Sequence, residues 1–254
     1  MRRLLVAAFL AAGALTMIGC AASGPATDRD ARAAEANTKL GIALLRQDEP
    51  QRAMQKLNKA IRQNPGSSDA HMVRALAFER LEKPDKAEDS YEESLSLDSK
   101  NAQALNNYGR FLCGRGELSE AQGYFDRAVD ISTYETPEVP LTNAGICALR
   151  NGESEKAEDY LRRALKQNKK QARALLYMAE IRLEREQYMS ARGYYERYLD
   201  AARQTPRSAW VGVRIASQLG NKNAVASYKQ LLRNKFPDSK QTAKLLEWES
   251  NGRL

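Results

Sequence analysis

The stretch NAQALNNYGRFLCGRGELSEAQGYFDRAV, residues 101–129, decides the fold. It sets a small residue, Gly109, twelve positions before Ala121, and a bulky one, Phe125, four positions after it. The same triplet recurs on both sides. Its alanines are Ala53, Ala87, Ala121, Ala157, Ala191 and Ala224, separated by 34, 34, 36, 34 and 33 residues. The bulky partners are Leu57, Tyr91, Phe125, Leu161, Tyr195 and Tyr228, and the small ones Gly41, Ala75, Gly109, Gly145, Ala179 and Gly212. Self-similarity at such a period marks a repeat architecture, in which each unit buries its apolar face against its neighbours.

The pattern resembles the tetratricopeptide repeat, a helix–turn–helix unit of about 34 residues. Where the two helices cross, close approach leaves no room for side chains, since axes pack about 8–10 Å apart; the small residue and the alanine are expected there, with the bulky residue filling the gap toward the next repeat. This predicts an all-α solenoid of six units, at 34–67, 68–101, 102–135, 138–171, 172–205 and 206–238. Pro65 falls between the first two, because proline does not sit in a helix interior. The extra residues fall in TYETPEVP, where Pro137 and Pro140 predict a longer loop. The segment 240–250, with Leu245, Leu246 and Trp248, is expected to cap the open end of the stack.

The N-terminus reads as an address. Arg2 and Arg3 precede an uncharged apolar run, Leu4 to Ile18. That run is shorter than the roughly 20 residues a spanning helix needs and fits a signal peptide over 1–19. Gly19 and Cys20 resemble a bacterial lipobox, although Met17 stands where leucine is usual. The resemblance implies that Cys20 is acylated and becomes the mature N-terminus, and Ala21 after it implies sorting to the outer membrane. Residues 21–33, AASGPATDRDARA, are expected to form a flexible tether reaching about 45 Å when extended.

The composition, 28% charged and 43% hydrophobic, is that of a folded chain. The net charge of +8 falls to roughly +6 without Arg2 and Arg3. Its basic residues are interspersed with acidic ones and lack an aromatic platform, so nucleic acid is not an expected partner; an anionic membrane surface or an acidic protein patch fits better. His71 is the single histidine, expected on a helix surface without ligand partners. There is no HExxH, P-loop or nucleophile elbow. No catalysis, cofactor, metal or small-molecule substrate is expected. Cys113 and Cys147 occupy similar places in adjacent repeats, which reads either as a disulfide in an exported chain or as two buried thiols.

The first helix of each unit lines the inner surface of such a solenoid. Inner positions about 2, 5, 9 and 12 residues into each unit make Ile42, Leu45, Met72 and Leu76 an apolar partner groove. If the phase slips by one, the same residues are core. In the third unit Gln103, Asn106 and Arg110 are placed to hydrogen-bond a peptide. Thr38 and Ile42 replace the lysine and asparagine of a carboxylate clamp, so that ligand class is not expected in the first unit.

The opening stretch, NAGI at 143–146 and AEIRLEREQYMSARGYYERYL at 179–199 give the chain, over nearly its whole length, a resemblance to the PilF/PilW family of type IV pilus biogenesis lipoproteins. The resemblance implies a pilotin, which binds the subunits of the outer-membrane secretin and supports their localisation and assembly into a ring. It places the lipid on Cys20 and the apolar first-repeat groove on Ile42 and Leu45. The competing expectation is another periplasmic repeat scaffold, serving barrel-protein assembly or cell-wall hydrolases. Metabolic labelling with radioactive palmitate is expected to mark the wild-type chain and not C20S; an unlabelled wild type rules out the anchor.

Overall fold

The computed structural model describes residues 27–252. The signal peptide, Cys20 and most of the expected tether therefore lie outside the described residues. Among those described, thirteen α-helices and no strands occur. They form six antiparallel pairs: α1 (Asp28–Arg46) with α2 (Pro50–Gln63), α3 (Ser68–Arg80) with α4 (Pro84–Leu97), α5 (Ala102–Arg115) with α6 (Leu118–Val129), α7 (Glu138–Arg150) with α8 (Ser154–Gln167), α9 (Ala172–Glu184) with α10 (Tyr188–Ala201), and α11 (Pro206–Gln218) with α12 (Lys222–Lys235). The last helix, α13 (Lys240–Ser250), packs on α11 and α12. The backbones of the first helices of successive pairs approach one another in unbroken sequence from α1 to α11, whereas those of the second helices stand farther apart and are bridged by long side chains, as where the Tyr160 hydroxyl of α8 donates to Asp126 of α6 at 2.8 Å. Odd-numbered helices therefore line the inner face, and even-numbered helices fan out on the outer one. This is an all-α tetratricopeptide solenoid.

The helix crossings explain the period. Ala53, Ala87, Ala121, Ala157 and Ala191 are wholly buried. A Cβ added to Gly109 would lie 2.9 Å from Phe125 Cε1 and 3.0 Å from the Ala121 carbonyl oxygen. At Gly145 it would meet Leu161 Cγ at 2.8 Å and the Ala157 oxygen at 3.1 Å. The bulky residue thus seats first on the glycine of its own pair, not only toward the next repeat. Full burial of each such side chain contributes about 1.5–3 kcal/mol. The sixth pair is looser: Ala224 and Tyr228 are only half-buried.

A second period lies in the turns inside the pairs. Asp48, Glu82, Gly116, Gly152, Glu186 and Gly220 all have positive φ, between 54° and 89°. Each turn needs one left-handed residue, which glycine supplies without strain. Pro50, Pro84 and Pro206 then open helices at their first position, where a missing N–H costs nothing.

Two expected boundaries move. Thr27 Oγ1 accepts the Asp30 amide at 3.2 Å, and Asp28 and Asp30 oppose the positive end of the helix dipole. The helix therefore begins at Asp28, taking in residues 28–33 that were expected as tether, and buries Ala34 with Ala60 and Ala70. Small alanines there build helix rather than leash. Pro140, expected in a loop, lies buried in the first turn of α7, and the loop ends at the N-cap Pro137.

Between the fourth and fifth pairs, Glu158 on α8 is buried and accepts from Arg182 of α9, from Arg185 just past the end of that helix, and from Arg162. Between the third and fourth, Cys113 on α5 and Cys147 on α7 are joined as a disulfide, Cα atoms 5.9 Å apart.

Gly109→Ala is expected to cost about 1–3 kcal/mol in urea unfolding, because a carbonyl blocks the added carbon. Gly123→Ala, on the open face of α6 with nothing within 4 Å, is expected to stabilise by roughly 0.5–1 kcal/mol.

Candidate functional site

The inner face of the first three pairs holds a cavity of about 370 Å³. Ile42 and Leu45 of α1 and Leu76 of α3 form its apolar floor, and Arg46, Arg80, Glu79 and Arg110 its rim. The helical step explains the grouping. Ile42 and Leu45 are three apart on α1, Leu76 and Glu79 three apart on α3, so each pair shares a face. All three floor side chains are half-buried although they pack against the core. The rim is partly neutralised. Arg110 Nη2 donates to both Glu79 oxygens, at 2.8 and 3.0 Å, and Arg80 Nη1 donates to Asp48 at 3.4 Å. Glu79 also accepts from the Tyr91 hydroxyl, which ties the rim to the core. Such a cavity suits the apolar side chains of a docking segment, with charged groups orienting it.

Four of the six residues assigned to the groove from sequence thus meet at one site: Ile42, Leu45, Leu76 and Arg110. Two do not. Met72 is core, 3% exposed, with its sulfur 3.3 Å from Asn107 Nδ2. Asn106 is 7% exposed and accepts from Asn143 Nδ2 at 2.8 Å, so its amide is engaged inside the stack. Gln103 stays exposed at the start of α5. Thr38 is buried and donates to the Ala34 oxygen at 2.9 Å.

His71, expected at the surface, is buried. Its Nε2 lies 3.1 Å from the Pro65 oxygen and its Nδ1 3.1 Å from Arg74 Nη2, which assigns donation to Nε2 and acceptance to Nδ1. Burial, with the Arg74 charge second, pushes the imidazole below its ordinary range. The ring therefore stays neutral while fastening α3 to the turn before it.

Sequence reasoning missed the rim residues Glu79 and Arg80, whose signal was their one-turn spacing from Leu76 along α3. It also missed Asn143, which appeared only as part of a resemblance. Among the described residues, no cluster of three or more His, Cys, Asp or Glu is arranged to hold a metal, and no helix is long and apolar enough to cross a membrane.

Burial separates groove from core experimentally. Leu45→Asp and Leu76→Asp are each expected to cost about 1 kcal/mol, since both side chains are part-exposed beside guanidinium groups. Met72→Asp is expected to cost about 3–5 kcal/mol, because it strands a buried charge. Equal losses at all three positions, read by thermal or urea unfolding, would make the whole set core.

Comparison with known proteins agrees with this architecture. Family profiles described as Tetratricopeptide repeat match residues 22–68, 68–101, 101–170 and 142–206. The Type IV pilus assembly protein PilF of Pseudomonas aeruginosa is 31% identical over 236 residues, covering 91% of this chain and 93% of that protein. A solved structure of Pseudomonas aeruginosa PilF superposes with a TM-score of 0.78 at 29% identity, over 86% of this chain and 99% of the other. The crystal structure of PilW, a widely conserved type IV pilus biogenesis factor, gives 0.75 at 31% identity, over 84% and 98%. The chain belongs to the PilF/PilW family of tetratricopeptide-repeat type IV pilus biogenesis proteins.

Proposed function

We propose that the chain is a non-catalytic, lipid-anchored adaptor of the outer membrane that binds type IV pilus secretin subunits. It brings them to that membrane and supports their assembly into the ring through which the pilus passes. The observation that carries the reading is the floor of Ile42, Leu45 and Leu76, left part-exposed in the first two pairs of a chain of this family. Apolar surface gathered in one concavity is what a partner helix or strand covers. Division of labour follows from the chain's layout. Acyl groups on Cys20 give the membrane address, more than one chain being needed for stable anchoring. The groove grips the secretin, and joining anchor to grip raises the secretin's effective concentration at the membrane. The disulfide between Cys113 and Cys147 has a structural part, holding the third pair to the fourth.

A strain lacking the protein is expected to lose secretin multimers and twitching motility while growing normally. The double variant Leu45→Asp/Leu76→Asp should reproduce that loss, and should fail to co-purify secretin from detergent-solubilised membranes while retaining helical circular dichroism. General envelope defects in the null strain, with secretin multimers intact, would point instead to a barrel-assembly or cell-wall scaffold.

A further inference from the structure

Beyond the apolar cavity, the inner face changes character. Arginines on successive first helices each reach back to the pair before them, forming a ladder along the stack. Arg110 of α5 reaches Glu79 of α3 at 2.8 Å. Arg207 of α11 reaches Glu180 of α9 at 2.8 Å, and Arg214 of α11 reaches Glu184 of α9 at 2.9 Å. These three rungs end on carboxylates. The two middle rungs do not. Arg150 of α7 ends 4.0 Å from the Cys113 sulfur, and Arg173 of α9 ends on the Asn143 amide oxygen at 3.0 Å. Neither forms an ion pair among the described residues, and both side chains are exposed.

The surroundings of Arg173 supply no hidden counter-charge. Asn143 is itself committed, its Nδ2 donating to Asn106 Oδ1 at 2.8 Å. Tyr177, one turn along α9, is covered by the Arg207 guanidinium 4.1 Å above its ring and accepts a hydrogen bond from it at 2.8 Å. Although the Arg173 side chain as a whole is exposed, its guanidinium end is partly desolvated against the inner face, which lowers its basicity, and the charges of Arg207, Arg110 and Arg150 lower it further against an opposing effect of Tyr177. Like charges gathered on a concave surface focus a positive potential, and an arriving carboxylate relieves their repulsion. Guanidinium groups take carboxylates two bonds at a time, which fixes orientation as well as charge.

We propose that the inner face of α5, α7 and α9 binds the carboxylates of an extended acidic segment of a partner protein, with Arg150 and Arg173 as its two anchors. The partner completes the ladder by supplying the two carboxylates that the chain omits, and Asn143 positions Arg173 to receive one of them. This rests on reading the inner face as the partner groove, and it adds a second, polar subsite next to the apolar one.

The test uses the purified full chain in detergent micelles. The probe is a fluorescein-labelled peptide of about twelve residues alternating glutamate and serine with an amidated C-terminus, a length that spans several helices when extended. Fluorescence anisotropy is expected to show binding that weakens with added salt, and no binding of the matching lysine–serine peptide. The variant Arg150→Gln/Arg173→Gln should weaken binding by about tenfold or more. The Arg150→Lys/Arg173→Lys variant should restore part of it. Both arginine variants should keep the wild-type urea midpoint, the two side chains being exposed. Leu45→Asp/Leu76→Asp should bind the acidic peptide like wild type, so failure of the secretin reading at the apolar cavity is seen separately. Three outcomes would overturn the proposal: no binding of the glutamate peptide, equal affinity in wild type and the glutamine variant, or displacement of the peptide by inorganic phosphate or phosphatidylglycerol vesicles as effectively as by unlabelled peptide.

Discussion

The rest of the structure depends on the crossing of two helices at a point where neither carries a side chain larger than a methyl group. At Gly109 and Ala121 the second backbone comes so close that an added carbon would touch its carbonyl oxygen. Phe125 then closes over the glycine. Repeated down the chain, this contact sets how each pair leans on the next, because helix packing is steep in distance and tolerant of few geometries. The stack is thus built from nearest-neighbour contacts. Further fasteners reinforce its middle: the Cys113–Cys147 bridge, the buried Glu158 with its three arginines, and the stacked Tyr91–Tyr108–Phe111 rings.

From that contact the functional surface follows. Because first helices touch first helices while second helices diverge, one continuous inner wall runs from α1 to α11. The wall is apolar where Ile42, Leu45 and Leu76 meet, and carries guanidinium groups, unpaired among the described residues, at Arg150 and Arg173. An amphipathic or extended partner segment with an apolar end and an acidic continuation would match both halves. A graded inner wall is suited to holding another protein in place.

The period was legible because its residues are chosen for volume, and volume at a helix crossing leaves almost no freedom. Ile42, Leu45 and Leu76 were legible for a related reason: apolar residues at inner positions have no solvent-based excuse. Met72 was misread because it sits at the edge of the inner stripe, where a small rotation of α3 turns a groove position into core. Asn106 was misread because its partner, Asn143, is 37 residues away and only tertiary structure brings the two amides together. His71 appeared exposed because a polar ring near a helix start is usually solvated; here Pro65 and Arg74 satisfy both nitrogens. The left-handed turn position carried a visible trace, Gly116 and Gly152 one repeat apart and Gly220 two repeats further on. Asp48, Glu82 and Glu186 broke the glycine pattern and concealed it.

The proposed grip of the inner wall of the first pairs on the secretin is open to direct measurement. Hydrogen–deuterium exchange of the full chain, with and without purified secretin subunits, tests it most directly. Slower exchange is expected in α1 and α3, over segments 38–46 and 72–80, with α2 and α4 on the outer face unchanged. Protection confined to the even-numbered helices, or none anywhere along the stack, would contradict it.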